Sequence, residues 1–286
     1  KNTIVDQSKR IKFEVQSTPQ FGSSDELILT GKYGLFNNSV SPSSLPKNQI
    51  TAEAVVTINE GQQWGSIVGY AQDNGSYERG WILGYNEDSF LFWISNGGAL
   101  IQATSKTKFE SGRKYHITGT YDGSNVKIYV NGNLSGQANA SGPIAYPESA
   151  YYTVGIYKDN DENYPMNGTI ETVNIYSRAI NPSSILTASN KLGLTPIKLS
   201  VQPSLRFVSR EEAQITWSSS SVKTMSVHFG TSRRLGNNIK AEKKNGQYFA
   251  ILPNLEPDTE YFYKLVESGR GRSGPAYEFN TNLNFS

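Results

Sequence analysis

The sequence predicts an all-β protein built from two sandwich domains, and three observations carry that prediction. Short runs of β-branched and aromatic residues recur between Gly, Asn and Asp turn signals, only one segment has the marks of a helix, and 286 residues exceed what a single small core needs. Aromatics make up 12% of the chain, with 17 Tyr, 12 Phe and 4 Trp beside 26 Gly and only 2 Met, a balance that favours strands and tight turns. Cysteine is absent and histidine occurs twice, at His116 and His228. Disulfides, thiolate metal sites, cysteine nucleophiles and multi-histidine metal centres are thereby excluded.

Along the chain, strands are expected at 51–58 and 66–70. Residues 81–85 and 90–94 read as a hairpin that turns through Asn86, Glu87 and Asp88. Tyr115, Ile117 and Gly119 alternate with His116, Thr118 and Thr120, which gives a strand with one apolar and one polar face. Val126, Ile128 and Val130 alternate with Lys127 and Tyr129 between Asp122-Gly123 and Asn131-Gly132, so this strand should run antiparallel to the previous one. Strands at 151–157 and 169–176 follow. A short helix is expected from Pro182 to about Ser189, with Asn181 as N-cap and Pro182 at the first helical position. It ends a first domain of residues 1–195. In a second domain, 196–286, Ala213, Ile215 and Trp217 share one face, and strands at 225–229, 248–252, 261–266 and 277–279 have the spacing of a seven-stranded immunoglobulin-like sandwich.

Several segments carry a family resemblance. They are Gly31-Lys32-Tyr33-Gly34, Ile50-Thr51-Ala52-Glu53-Ala54-Val55-Val56, and the run from Lys114-Tyr115-His116-Ile117 through Thr120-Tyr121-Asp122-Gly123 to Ile128-Tyr129-Val130-Asn131-Gly132. The closing segments are Met166-Asn167-Gly168-Thr169-Ile170-Glu171 and Ile175-Tyr176-Ser177-Arg178-Ala179-Ile180. Together they resemble the laminin G-like, concanavalin A-like jelly-roll superfamily of lectins and glucanases. In the second part, Ile215-Thr216-Trp217 and Leu255-Glu256-Pro257-Asp258-Thr259-Glu260-Tyr261 resemble a fibronectin type III domain, with Tyr261 standing as a tyrosine-corner residue. His228-Phe229-Gly230-Thr231 and Phe279-Asn280-Thr281 narrow that resemblance to the N-terminal domain of purple acid phosphatases. In that family a metallophosphoesterase domain follows, so the resemblance implies a C-terminal catalytic partner in the parent protein.

This chain lacks the residues for that chemistry. A two-metal phosphoesterase needs several His, Asp and Asn ligands, and two histidines, both inside expected strands, do not supply them. A glycosidase needs two carboxylates roughly 5–10 Å apart. The Glu-x-Asp-x-x-Glu pattern of laminarinase-type relatives is missing, and Glu87 and Asp88 are adjacent, on opposite faces of a strand. The string Gly269-Arg270-Gly271-Arg272-Ser273-Gly274 satisfies G-x-G-x-x-G but follows a late strand with no helix behind it, so it reads as a hairpin loop.

Binding is the remaining reading. A sugar site needs a flat apolar ring beside groups that pair with hydroxyls. Trp64, Tyr77, Tyr146 and Tyr164 are the loop aromatics, with Arg79 and Asp73 near them, while Trp81, Trp93 and Trp217 read as core. Asp159, Asp161 and Asn163 alternate in an acidic loop and offer hard oxygen ligands that suit structural calcium; a solvated acidic turn is the alternative.

Charge adds little. The chain has 15 basic against 17 acidic residues up to 195, a net of −2, and 12 against 8 beyond it, so no nucleic-acid partner is expected. No stretch approaches the roughly 20 apolar residues of a membrane span. The start at Lys1 is read as a mature or truncated product, of a bacterial protein that is secreted, periplasmic or at the cell surface. The expected function is a non-catalytic accessory region whose jelly roll binds carbohydrate or another surface ligand. The alternatives are a structural or protein-binding pair of domains, or a hydrolase with an unrecognised site.

Overall fold

Alternation of buried and exposed side chains lays this chain into sheets. The computed structural model describes residues 2–5, 11–15, 18–75, 77–98, 100–197, 199–219, 224–267 and 273–282. Strands hold 56% of the residues and helix 5%, which makes the class all-β. The chain divides into two compact units, Lys1–Ser189 and Asn190–Ser286.

In the first unit an eight-stranded antiparallel sheet runs in the order Asn2–Val5, Lys12–Val15, Leu35–Asn37, Tyr151–Val154, Gly65–Asp73, Glu78–Asn86, Ser89–Ser95 and Leu100–Lys108. A seven-stranded antiparallel sheet runs Asn133–Asn139, Asn125–Val130, Lys114–Tyr121, Ile50–Ile58, Asn167–Tyr176, Leu27–Thr30 and Gln20–Phe21. Tyr70, Trp81, Leu83, Tyr85, Phe90, Phe92 and Ile94 of the first pack against Ala52, Ala54, Val56, Tyr115, Ile117 and Ile128 of the second, as period-2 alternation requires of a sandwich. At Gly119 a Cβ would overlap the Phe92 ring, so the absence of a side chain there lets the two layers close. One pair of edges is sealed: the Thr107 amide donates to Ser135 Oγ at 3.1 Å, and Gly136 lies against the carbonyl of Thr104.

The helix spans Pro182–Lys191, two residues longer than its pattern suggests, and Asn181 Oδ1 caps it by accepting the Ser184 amide at 2.9 Å. It rests on the outer face of the seven-stranded sheet, where Gly132 leaves room for Leu186 and Ser189. Among the described residues no helix is long and apolar enough to cross a membrane.

The second unit has two four-stranded antiparallel sheets, Leu199–Phe207, Ala213–Ser219, Gln247–Leu252, Glu242–Lys244 and Asn237–Lys240, Met225–Gly230, Glu260–Glu267, Tyr277–Asn280. Among the described residues eight strands stand where seven were expected, because the chain changes sheet at buried Ala241, leaving a short strand on either side of it. Trp217 stacks on Tyr248 at 5.6 Å in this core, and the Tyr261 hydroxyl accepts the Glu256 amide at 3.0 Å.

One expected strand needs correction. Residues 151–157 form two strands, since Gly155 adopts φ 69 and turns the chain out of the sheet. The second piece, Ile156–Lys158, pairs with Asn163–Pro165 as a separate hairpin. Only glycine takes that backbone region readily, and Leu29 fills the space a Cβ would need. Gly269 to Arg272 of the glycine-rich string lie outside the described residues. Gly155→Val is expected to destabilise the first unit by at least about 2 kcal/mol, through strain and overpacking. A urea midpoint unchanged from the parent chain would contradict that reading of the bend.

Candidate functional site

The ladder of the eight-stranded sheet aligns Glu14, Phe36, Thr153, Gly69, Ile82, Trp93 and Gln102 in one row across its outer face. The middle of that face is apolar: Ala71, Ile82, Leu91 and Trp93 form a second cluster, and Tyr157 of the hairpin buries itself in it. The hairpin therefore caps the sheet and carries a further ring outward. Tyr164, opposite Tyr157 in the hairpin ladder, stacks on it with centroids 6.0 Å apart and an interplanar angle of 30°, and remains 37% exposed.

The hairpin turn folds around Asp159, whose side chain is fully buried. Its Oδ1 accepts the amides of Asp161 at 3.1 Å and Glu162 at 2.8 Å, and its Oδ2 accepts the Tyr157 hydroxyl at 3.0 Å. The Tyr164 hydroxyl donates to Glu162 Oε1 at 3.2 Å. Burial, reinforced by Asp159, Asp73 and Glu162, pushes the Tyr157 phenol far up, so it stays a donor.

The turn abuts the loop after strand Gly65–Asp73, with the Asn74 side chain 3.2 Å from Asp161 Oδ1. Burial raises the Asp73 carboxyl, and Glu78, Glu162 and Asp159 raise it further. Tyr77 is exposed beside it, with the Arg79 guanidinium 4.6 Å over its ring and Arg79 Nη1 donating to the Glu78 carbonyl at 2.9 Å.

Asp73, Asp161 and, through the hairpin, Tyr164 thus belong to one band, while Arg79, opposite Gln72 in the ladder, leaves the strand on the other face from Asp73 and carries its guanidinium over Tyr77. Trp64, half exposed at φ 58, lies at the opposite end of strand Gly65–Asp73, roughly 25–30 Å from Asp73 by strand rise. It is connected to the band through Gln62, whose Nε2 donates to the Tyr164 carbonyl at 3.3 Å. Tyr146 is turned inward: its hydroxyl donates to the Pro46 carbonyl at 2.5 Å, its ring meets Tyr70 edge-on at 5.8 Å, and burial pushes its phenol up. Arg79 stands in a strand and Tyr164 in the hairpin ladder, where loops were expected. Tyr157 and Glu162 were not singled out from sequence. The signal for them is symmetry, since Tyr157 and Tyr164 flank the acidic turn as a cross-strand pair.

Of the three expected oxygen ligands, Asp159 is committed to the hairpin itself. Asp159 turns both oxygens onto the hairpin's own donors, Asn163 stands opposite Lys158 in the ladder, and among the described residues no group of three or more His, Cys, Asp or Glu is placed to hold a metal.

A second polar constellation lies on the other sheet. His116 Nε2 is 2.6 Å from Glu53 Oε1, its Nδ1 bonds Ser189 Oγ, and Glu53 Oε2 accepts Asn174 Nδ2 at 3.2 Å. Ser, His and Glu in that order mimic a hydrolytic relay. His116 is 1% exposed and Ser189 is 0% exposed, so no substrate reaches them and the chain of bonds ties the helix to the sheet.

Rings thus lie beside hydrogen-bonding groups on the covered face of a two-sheet sandwich. The chain belongs to the concanavalin A-like lectin/glucanases superfamily, whose laminin G-type family model matches residues 30–186. It is 25% identical over 229 residues to pappalysin-1 of Mus musculus, a stretch that makes up 74% of this chain and 13% of that protein. The chain therefore spans a small part of that relative's length. Solved structures with a related fold include domain 4 of AbnA, a GH43 extracellular arabinanase from Geobacillus stearothermophilus, in complex with arabinotriose (17% identity, TM-score 0.49, 62% of this chain and 87% of that one). Another is botulinum neurotoxin type C, whose cell entry depends on two ganglioside molecules (12%, 0.49, 97% and 70%), and a third is the SAP-like pentraxin of Limulus polyphemus (13%, 0.43, 57% and 81%).

The buried relay has a pH signature. The hydrogen bond from His116 holds the Glu53 carboxyl below its ordinary 4.5, against the opposing effect of burial. A carboxyl depressed in the folded state contributes stability above 4.5 and loses it as pH falls through the depressed value, because the unfolded chain takes up the proton first. Urea midpoints between pH 7 and pH 3 are expected to fall more for the parent chain than for Glu53→Gln; parallel curves would refute the linkage.

Proposed function

We propose that the first unit is a non-catalytic glycan-binding module that takes its ligand on the band formed by Tyr164, Asp73, Asp161 and Glu162. The observation that carries this reading is the exposed Tyr164 ring, held flat against buried Tyr157 with carboxylate and amide groups beside it, in a chain of the lectin and glucanase superfamily. A ring so held stacks on the C–H face of a sugar while the oxygens beside it accept from hydroxyls.

Binding is favoured over hydrolysis because the middle of the outer face carries Gly69, Ala71, Gly80, Ile82, Leu91 and Trp93, and its facing carboxyls, Asp73 and Glu78, stand at the ends of their strands. The second unit, with its resemblance to fibronectin type III and purple acid phosphatase N-terminal domains, would serve as spacer to a metallophosphoesterase in an exported or surface parent protein. Sequencing the coding region beyond Ser286 tests that part.

Affinity electrophoresis over a panel of polysaccharides, followed by a glycan array, tests the binding. Tyr164→Ala is expected to weaken the best ligand roughly tenfold, about 1.4 kcal/mol, while Tyr146→Phe leaves it unchanged. Retention of full affinity by the Tyr164 variant would remove the site from this face. Calcium in excess or chelator is expected to leave both affinity and melting temperature unchanged; a rise in either with calcium would return Asp161 and Asn163 to a cation role.

A further inference from the structure

We infer that the glycan taken at Tyr164 is a neutral, hydroxyl-rich chain and that sulfated or uronate-rich polyanions are excluded, an inference that rests on the glycan-binding reading of this face. The site is a ring platform whose surroundings are acceptors. Asp161 and Glu162 flank Tyr164 on the hairpin turn, Asp73 and Glu78 pair across the adjoining strands, and Asp159 is buried beneath the turn. These five carboxyls are close enough to act on one another and on the rings. Glu162 and Asp159 raise Asp73, while Glu162, Asp159 and Asp161 raise the Tyr164 phenol.

The neighbouring cations are engaged with rings. Arg79 lies over Tyr77 and donates to the Glu78 carbonyl, and the Lys158 ammonium sits 4.6 Å from the centroid of Tyr151 and 5.7 Å from that of Phe36. Ionised carboxylates accept hydrogen bonds and donate none, so a ligand that meets them must bring donors. Neutral sugar hydroxyls do so, and bonds to charged acceptors are the stronger kind. Sulfate or carboxylate groups bring further acceptors and like charge, which repels at this range and weakens with salt.

The test is native affinity electrophoresis of the whole chain against immobilised neutral polysaccharides, heparin and polygalacturonate, at low and physiological salt. Expected are retardation by at least one neutral polymer that salt leaves unchanged, its loss by roughly tenfold in Tyr164→Ala, and no retardation by either polyanion. The double variant Asp161→Asn with Glu162→Gln is expected to bind its neutral ligand several-fold more weakly, because charged acceptors become neutral ones, and to gain at least threefold in retardation by polygalacturonate. Melting curves of each variant confirm that it is folded. Stronger retardation of the parent chain by heparin or polygalacturonate than by every neutral polymer overturns the neutral class while leaving a glycan site. A folded double variant with no gain overturns the part assigned to the two carboxylates. No retardation by any polymer overturns the glycan reading, and this inference with it.

Discussion

A sheet whose central strands are apolar on both faces has to be covered twice, and the first unit is organised by that constraint. Ser89–Ser95 is buried at every position, and the two strands that follow it in the sheet, Glu78–Asn86 and then Gly65–Asp73, are nearly so. One face finds its cover in the opposing sheet. The other exposes Trp93, Leu91 and Ile82, and the chain covers them with its own hairpin, inserting Tyr157 after the bend at Gly155. Removing these apolar surfaces from water is what holds a three-residue-per-arm hairpin in place, since so short a ladder has little stability of its own.

The seven-stranded sheet answers the same need differently. Its outer face carries Glu53, His116, Thr118 and Asn174 and is partly covered by the helix Pro182–Lys191, which is attached by polar bonds through Ser189. Buried polar groups of this kind are costly unless every member has a partner, and here Glu53, His116 and Ser189 satisfy one another. One outer face is thus closed by a polar network, beside which the buried Thr118 hydroxyl finds no partner among the described residues, and the other by an aromatic plug. The plug leaves the Tyr164 ring facing outward.

The parts of this arrangement that follow period-2 alternation were legible in the sequence. The ladder of Lys114–Tyr121 with Asn125–Val130 and the hairpin between Tyr85 and Phe90 fall where alternation and turn residues put them. The run Phe90-Leu91-Phe92-Trp93-Ile94 also announces burial on both faces, for a strand with one wet face would alternate. What alternation does not show is direction in space. Tyr146 and Tyr164 both sit among turn residues, yet one points into the core and the other outward, and that difference depends on Tyr70 and Tyr157, far away in sequence or across a ladder. Gly155 inside an otherwise continuous apolar run was the visible sign that the strand breaks.

The two stacked tyrosines of the hairpin retain little freedom. Each donates its hydroxyl to a carboxylate of the same turn, Tyr157 to Asp159 and Tyr164 to Glu162, while Asp159 gathers the turn's backbone amides. The stack of rings fixes their planes, and the two phenol bonds fix their edges. A ligand that settles on Tyr164 meets a surface already ordered by folding, so less side-chain entropy is lost on binding than with a free loop aromatic. The acidity of the turn is then a consequence of architecture first: Asp159 and Glu162 hold the hairpin and its rings, and on the proposed reading the charge left at the rim would set which ligands approach.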